Sequence, residues 1–127
     1  MSPYDKRQPY DPNIIEALAC LPKEMMNDKG KIVYIRGKAG RETSYEHIAN
    51  TGHGLQVRDV LRIPGILANP EHVCKDPSYP KTKLNYYGKK YKRNQLVGYI
   101  KIVTTKTPSG REEIVTVYFT KRIKDNK

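Results

Sequence analysis

The last third of the chain most constrains what the whole can fold into. From Glu112 to Lys121 apolar and polar side chains alternate, with Val115, Val117 and Phe119 on one face and Thr116, Tyr118 and Thr120 on the other. Alternation of this kind marks a half-buried strand. Leu96 to Thr105 is a second strand-like run, with Gly98 as its weak point. Between them, Thr107-Pro-Ser-Gly110 has the composition of a turn. The two runs predict a hairpin. Val115, Val117 and Phe119 are expected in its core, and the three hydroxyl residues form a row on an exposed face, continued by Arg122.

Upstream the pattern changes to helical spacing. Residues 1–12 hold three prolines and several charges and read as an extended arm. Asn13 or Asp11 can cap a short helix carrying Ile14, Ile15, Ala17, Leu18 and Leu21. Pro22 and Asn27-Asp-Lys-Gly30 predict a break, Lys31 to Arg36 a short strand, and Gly37 and Gly40 a turn. Thr43-Ser-Tyr-Glu46 fits a capping box, opening a helix with Tyr45, Ile48 and Ala49 on one face. His47 points off that face, since neighbouring helical residues lie about 100° apart.

Gly52 and Gly54 flank His53 and end this helix. A second helix is expected from near Gln56 through Val57, Val60 and Leu61. Pro64 divides it from a turn at Ile66–Ala68, and Asn69-Pro70 ends the segment. Glu71 to Lys75 reads as a strand. The organisation expected is an arm and short helix over residues 1–29, then one folded domain over 30–127. With no Trp and one Phe, the core must rest on Ile, Val, Leu and the ten Tyr.

The charge is large and uneven. Lys+Arg number 24 against 13 Asp+Glu, a formal net charge of +11. Such an excess attracts phosphate surfaces. Between Asp76 and Glu112 there is no acidic residue, while Lys81, Lys83, Lys89, Lys90, Lys92, Arg93, Lys101, Lys106 and Arg111 follow one another. Tyr79, Tyr86, Tyr87, Tyr91 and Tyr99 are interleaved with them. Cations neutralise phosphates and tyrosine rings stack on bases. Gly88 and Asn94 mark part of the stretch as a flexible loop, expected to bind nucleic acid rather than to be merely solvated.

Several chemistries lack their residues. Cys20 and Cys74 are too few for a disulfide scaffold, and no Cys/His cluster, HExxH motif or paired-carboxylate cluster offers a metal site. Gly37-Lys-Ala-Gly40 is too short for a P-loop, and no nucleophile elbow occurs. The simplest enzymatic option is therefore free of metals and cofactors. Histidine suits acid/base work near neutral pH. His47 lies on the polar side of a capped helix, His53 between two glycines, and His72 at the start of a strand. A lone histidine is more often structural; for His47 the off-core orientation makes the two readings even.

The run Glu42-Thr-Ser-Tyr-Glu-His47-Ile, with Gly52-His53-Gly54-Leu55, Val57-Arg-Asp-Val60, Ile63-Pro64 and Asn69-Pro70, resembles the phage-type nucleases of the barnase–EndoU–colicin–RelE superfamily. Asn85-Tyr-Tyr-Gly88, Lys101-Ile-Val-Thr104 and Ile114-Val-Thr-Val-Tyr-Phe-Thr120 are similar to the same pattern. The resemblance covers roughly residues 30–124. It implies an α+β fold with N-terminal helices packed on a roughly four-stranded antiparallel sheet. It also implies metal-independent RNA cleavage of the kind carried by toxins and mobile elements. His47 matches the helix histidine of that family, and Thr116 its strand hydroxyl; His53, Tyr118 and Thr120 are further catalytic candidates. No Glu occupies a barnase-like position.

The expected reaction is attack of the RNA 2′-hydroxyl on the adjacent phosphorus, leaving a 2′,3′-cyclic phosphate. His47 would act as base or acid with His53 as complement. Lys81, Lys83, Tyr86, Tyr87, Lys89, Lys90, Lys92, Arg93 and Arg122 would bind RNA. Two alternatives use the same charge: a non-catalytic RNA-binding module, and a phage or mobile-element structural protein associated with nucleic acid. An acidic antitoxin or immunity protein is a further expected partner. The opening MSPYDKRQPY has no apolar run of a signal peptide, and no stretch approaches the ~20 apolar residues of a membrane helix. The expected location is cytoplasmic, with non-classical export as an effector left open.

Overall fold

The structure, a computed structural model, describes residues 12–35, 38–39, 42–43, 48 and 55–123. The chain is α+β. A curled sheet of six strands carries helices on one face, which holds the hydrophobic core. In chain order the elements are α1 (Pro12–Ala19), β1 (Glu24–Met26), β2 (Ile32–Ile35), β3 (Lys38–Ala39), β4 (Glu42–Thr43), α2 (Val57–Leu61), α3 (Ile63–Ala68), β5 (His72–Lys75), β6 (Lys83–Lys92), β7 (Gln95–Lys106) and β8 (Glu112–Thr120). The large sheet has the order β1-β2-β8-β7-β6-β5, and β3 pairs with β4 as a separate ribbon. All neighbours in the large sheet are antiparallel except β2 and β8, which run parallel.

This corrects the four-stranded antiparallel expectation. One additional strand is β1, three residues long and too short to show a pattern; Met25 alone turns inward. It pairs with β2 around a turn in which Gly30 has φ +74° and Asn27 Oδ1 accepts from the Lys29 and Lys31 amides at 3.0 and 2.9 Å. Residues 12–29 thus share the core and sheet of the rest, and the 29/30 boundary falls inside a hairpin turn. The other strand is β6, in the segment read as a flexible loop. Tyr favours strands, and β6 is held on both edges by β5 and β7. Its tight connection to β7 runs through Arg93 and Asn94, at φ 52° and 63°. Both residues lie in the left-handed region that a type I′ hairpin demands.

The sheet has two distinct faces because cross-strand partners stay in register over long stretches. Val73, Tyr86, Ile102 and Val117 lie side by side across four strands and face the helices. Ile14 and Leu18 of α1, Val60 of α2, and Ile63, Ile66 and Leu67 of α3 pack there, together with buried Ile48. The segment Ile66–Ala68, expected as a turn, completes α3; Pro64 sits in its first turn, where a missing N–H costs nothing. Gly88 lets α3 approach the sheet closely, since a Cβ there would lie 2.5 Å from Ile66 Cγ1.

In β8 the expected core set is altered by a bulge. Val103 pairs with Thr116 but Thr104 pairs with Ile114, so Val115 is extra and the side-chain order reverses across it. Ile114 and Val117 are buried and Phe119 packs against the core, whereas Val115 is half-buried. Among the described residues, no helix is long and apolar enough to cross a membrane.

A buried ion pair ties α2 to the sheet. Lys90 Nζ donates to Asp59 Oδ2 at 2.6 Å, with the two side chains 10% and 2% exposed. Asp59 Oδ2 also accepts from the Gln56 amide at 2.9 Å, closing the N-terminus of α2. Removing one partner strands the other charge in the interior. Asp59→Ala is therefore expected to lower stability by about 3 kcal/mol or more, measured as a reduced midpoint of urea unfolding at unchanged slope.

Candidate active site on the far face of the sheet

The face of the sheet opposite the core carries polar and titratable residues. Register places His72 of β5, Tyr87 of β6, Lys101 of β7 and Tyr118 of β8 in one row across four strands. The next row holds Cys74, Asn85, Val103 and Thr116. On the other side, Lys89, Tyr99 and Thr120 form a third. Thr116, Tyr118 and Thr120 thus share one face, as their spacing on β8 requires.

Lys101 sits at the centre. It is 9% exposed, and its Nζ lies 5.2 Å from the centroid of the Tyr118 ring and 5.9 Å from that of Tyr87. Burial alone would lower its pKa. The Tyr118 hydrogen bond and the charges of Tyr118, Tyr87 and Asp76 together outweigh that, and the ammonium is held above its ordinary value. The position is therefore a fixed cation. The Tyr87 ring is 6.3 Å from His72, tilted by 47°, and 6.3 Å from Tyr99, edge-on at 89°.

Asp76 closes the edge beyond β5. Its Oδ1 accepts from the backbone amides of Ser78 at 2.8 Å and Tyr79 at 3.1 Å. With its amide turned to suit both neighbours, Asn85 donates to Asp76 Oδ2 and to the Leu84 carbonyl, each at 3.3 Å. Burial works to raise the Asp76 pKa, but these hydrogen bonds and the Lys101 charge hold it below the usual carboxylate value. Preorganised donors and a fixed cation on a rigid sheet can stabilise negative charge that develops on a phosphoryl group. His72 stands beside them in the same row.

The other sequence candidates scatter. His47 and His53 lie outside the described residues. Tyr86 and Tyr87 are 1% and 0% exposed, so neither ring is offered to a base as expected: Tyr86 faces the core and Tyr87 packs among His72, Tyr99 and Lys101. Lys90 is likewise removed from any surface role by its burial against Asp59. Lys89 lies 3.4 Å from Glu71 at the surface. Lys81 and Lys83 line a cleft on the core side of the sheet, Lys83 lying 4.3 Å from the Tyr79 ring centroid. Lys92, Arg93 and Arg122 are exposed at the β6–β7 turn and after β8.

Lys101, Asp76 and Asn85 went unassigned in the sequence, and His72 had no partner to single it out. Their common signal is cross-strand register, which requires β6 to be read as a strand. No family model matches the chain, and neither a curated protein nor a solved structure matches it.

The Asp76 shift has a pH signature. A carboxyl whose pKa is depressed on folding contributes stability above its unfolded value, near 3.8, and loses it as pH falls through the lower folded value. Asp76→Asn should therefore show a shallower loss of stability with acidification below about pH 4 than the native chain. Urea unfolding at stepped pH measures the difference.

Proposed function

We propose that the chain binds RNA across the far face of the sheet and cleaves it by attack of the substrate's own 2′-hydroxyl. The observation that carries this reading is the row His72–Tyr87–Lys101–Tyr118, with Thr116 and Thr120 beside it. A base takes the 2′-hydroxyl proton and the oxygen attacks phosphorus. The 5′-oxygen leaves with a proton from an acid, and the product ends in a 2′,3′-cyclic phosphate. Lys101 offsets the extra negative charge on the phosphoryl oxygens, and the Thr116 and Tyr118 hydroxyls hydrogen-bond them. The resemblance to phage-type nucleases points to His47 as base or acid, His53 is its expected complement, and His72 is the histidine on the row itself. The net charge of +11 supports a polyanionic substrate and, for a toxin-like enzyme, an acidic antitoxin or immunity protein as its inhibitor.

The test uses end-labelled total RNA in EDTA, with the native chain beside Lys101→Met, Thr116→Ala, His72→Ala and His47→Ala. Loss of one preorganised charge donor costs about a hundredfold or more in rate. Lys101→Met should therefore still shift RNA on a native gel while its cyclic-phosphate products fall by about that factor. RNA left intact but bound by the native chain would instead identify a non-catalytic RNA-binding module. RNA neither cut nor bound would overturn the polyanion reading.

A further inference from the structure

On the core side of the sheet, beside the β1–β2 turn, lies an open cleft of about 680 Å³. Its volume is within the usual range for small-ligand sites, about 300–1,000 Å³. Its rim is cationic, with Lys29, Lys31, Lys75, Lys83, Lys106 and Arg111 among the lining residues. The Arg111 guanidinium stacks on the Tyr34 ring at 3.5 Å, presenting a flat, charged surface. Ile32, Val73 and Leu84 make the walls apolar.

The floor has opposite character. Glu112 Oε2 accepts from both the Tyr86 hydroxyl and the Thr104 hydroxyl at 2.6 Å. Asn27 Nδ2 donates to the Tyr86 oxygen at 3.2 Å. Among the described residues, Glu112 Oε1 takes only a long 3.4 Å contact from Asn27 Nδ2. An ionised carboxylate only accepts, and both hydroxyl protons are already committed to it. Burial and then the Glu112 carboxylate push the Tyr86 phenol far above its ordinary pKa, so it stays protonated as that donor. Hydrogen-bond acceptors thus lie inside the cleft, cations line its mouth, and apolar walls stand between.

A ligand complementary to all three has an N–H-bearing inner edge, a flat apolar body and an outer anion. We infer that the cleft binds a nucleotide whose base carries an exocyclic amine, with the amine donating to Glu112 and the phosphate on the lysine rim. The site is distinct from the far face and does not depend on RNA cleavage.

Calorimetric titration of the full chain separates the parts of this claim through pairs of mononucleotides that differ at one group. GMP differs from IMP by the 2-amine, and AMP differs from purine riboside 5′-monophosphate by the 6-amine. A hydrogen bond to a charged group gives about a tenfold preference for GMP over IMP and for AMP over purine riboside monophosphate. Glu112→Gln should erase that preference, and Lys31→Glu with Lys106→Glu should weaken all four, both variants keeping their thermal midpoints. Displacement of GMP by a short oligoribonucleotide would place the cleft on an RNA strand, and its retention would place it on free nucleotides. Equal binding within each pair, a preference unchanged in Glu112→Gln, or affinity no better than that of inorganic phosphate would overturn the inference. Lys101→Met keeps its nucleotide affinity whether or not the chain cuts RNA, so the two readings fail separately.

Discussion

The register of β7 between β6 and β8 decides what every other part of the molecule can do. Because side chains alternate across a sheet, one pairing assigns Tyr86, Ile102 and Val117 to the core and Tyr87, Lys101 and Tyr118 to the far face. A slip of one residue would carry the lysine into the core and the isoleucine out of it. Apolar burial is worth about 1.5–3 kcal/mol for each large side chain, and several such residues line the core face, so the register is strongly fixed. The titratable row is therefore a by-product of packing on the opposite side. Its geometry inherits the rigidity of the core.

The bulge at Val115 separates two chemistries. On its C-terminal side Thr116 and Tyr118 face away from the helices. On its N-terminal side the order is reversed, and Glu112 faces the core side, where Tyr86 and Thr104 hold it. Were the strand regular through Val115, Glu112 and Ile114 would share the face of Thr116, exposing an isoleucine and removing the carboxylate from the cleft. The bulge thus leaves Tyr118 beside the Lys101 cation on one face and a carboxylate among hydroxyls on the other.

Much of this was legible in the sequence. The β7–β8 hairpin and its turn, α1, α2 and the strands β2 and β5 follow from alternation, helical spacing and turn chemistry, with bounds within a few residues. The shared face of Thr116, Tyr118 and Thr120 follows from period two alone. What escaped was non-local. Strand β6 carries a Lys-rich, Gly-containing sequence that resembles a solvated loop, and it becomes a strand because two neighbours pair with it. The bulge has no local signature, so Ile114 and Val115 exchanged roles. Lys101 looked like one more member of a basic run until cross-strand neighbours surrounded it with Tyr87, Tyr118 and Asp76.

The same reasoning explains why composition overstated how many basic residues are free to meet a polyanion. Of the lysines between residues 81 and 101, Lys90 is spent on Asp59 and Lys89 lies against Glu71 at the surface. A buried cation needs compensation, and Lys90 has it. Net charge therefore describes the long-range field, which would draw any anionic partner toward the molecule. In the proposed reading, short-range recognition falls to far fewer groups, those set by register at the far face and around the cleft. The two proposed sites differ in kind. The far face would set a cation where a phosphoryl group gains charge, and the cleft would set an acceptor where a base offers a proton.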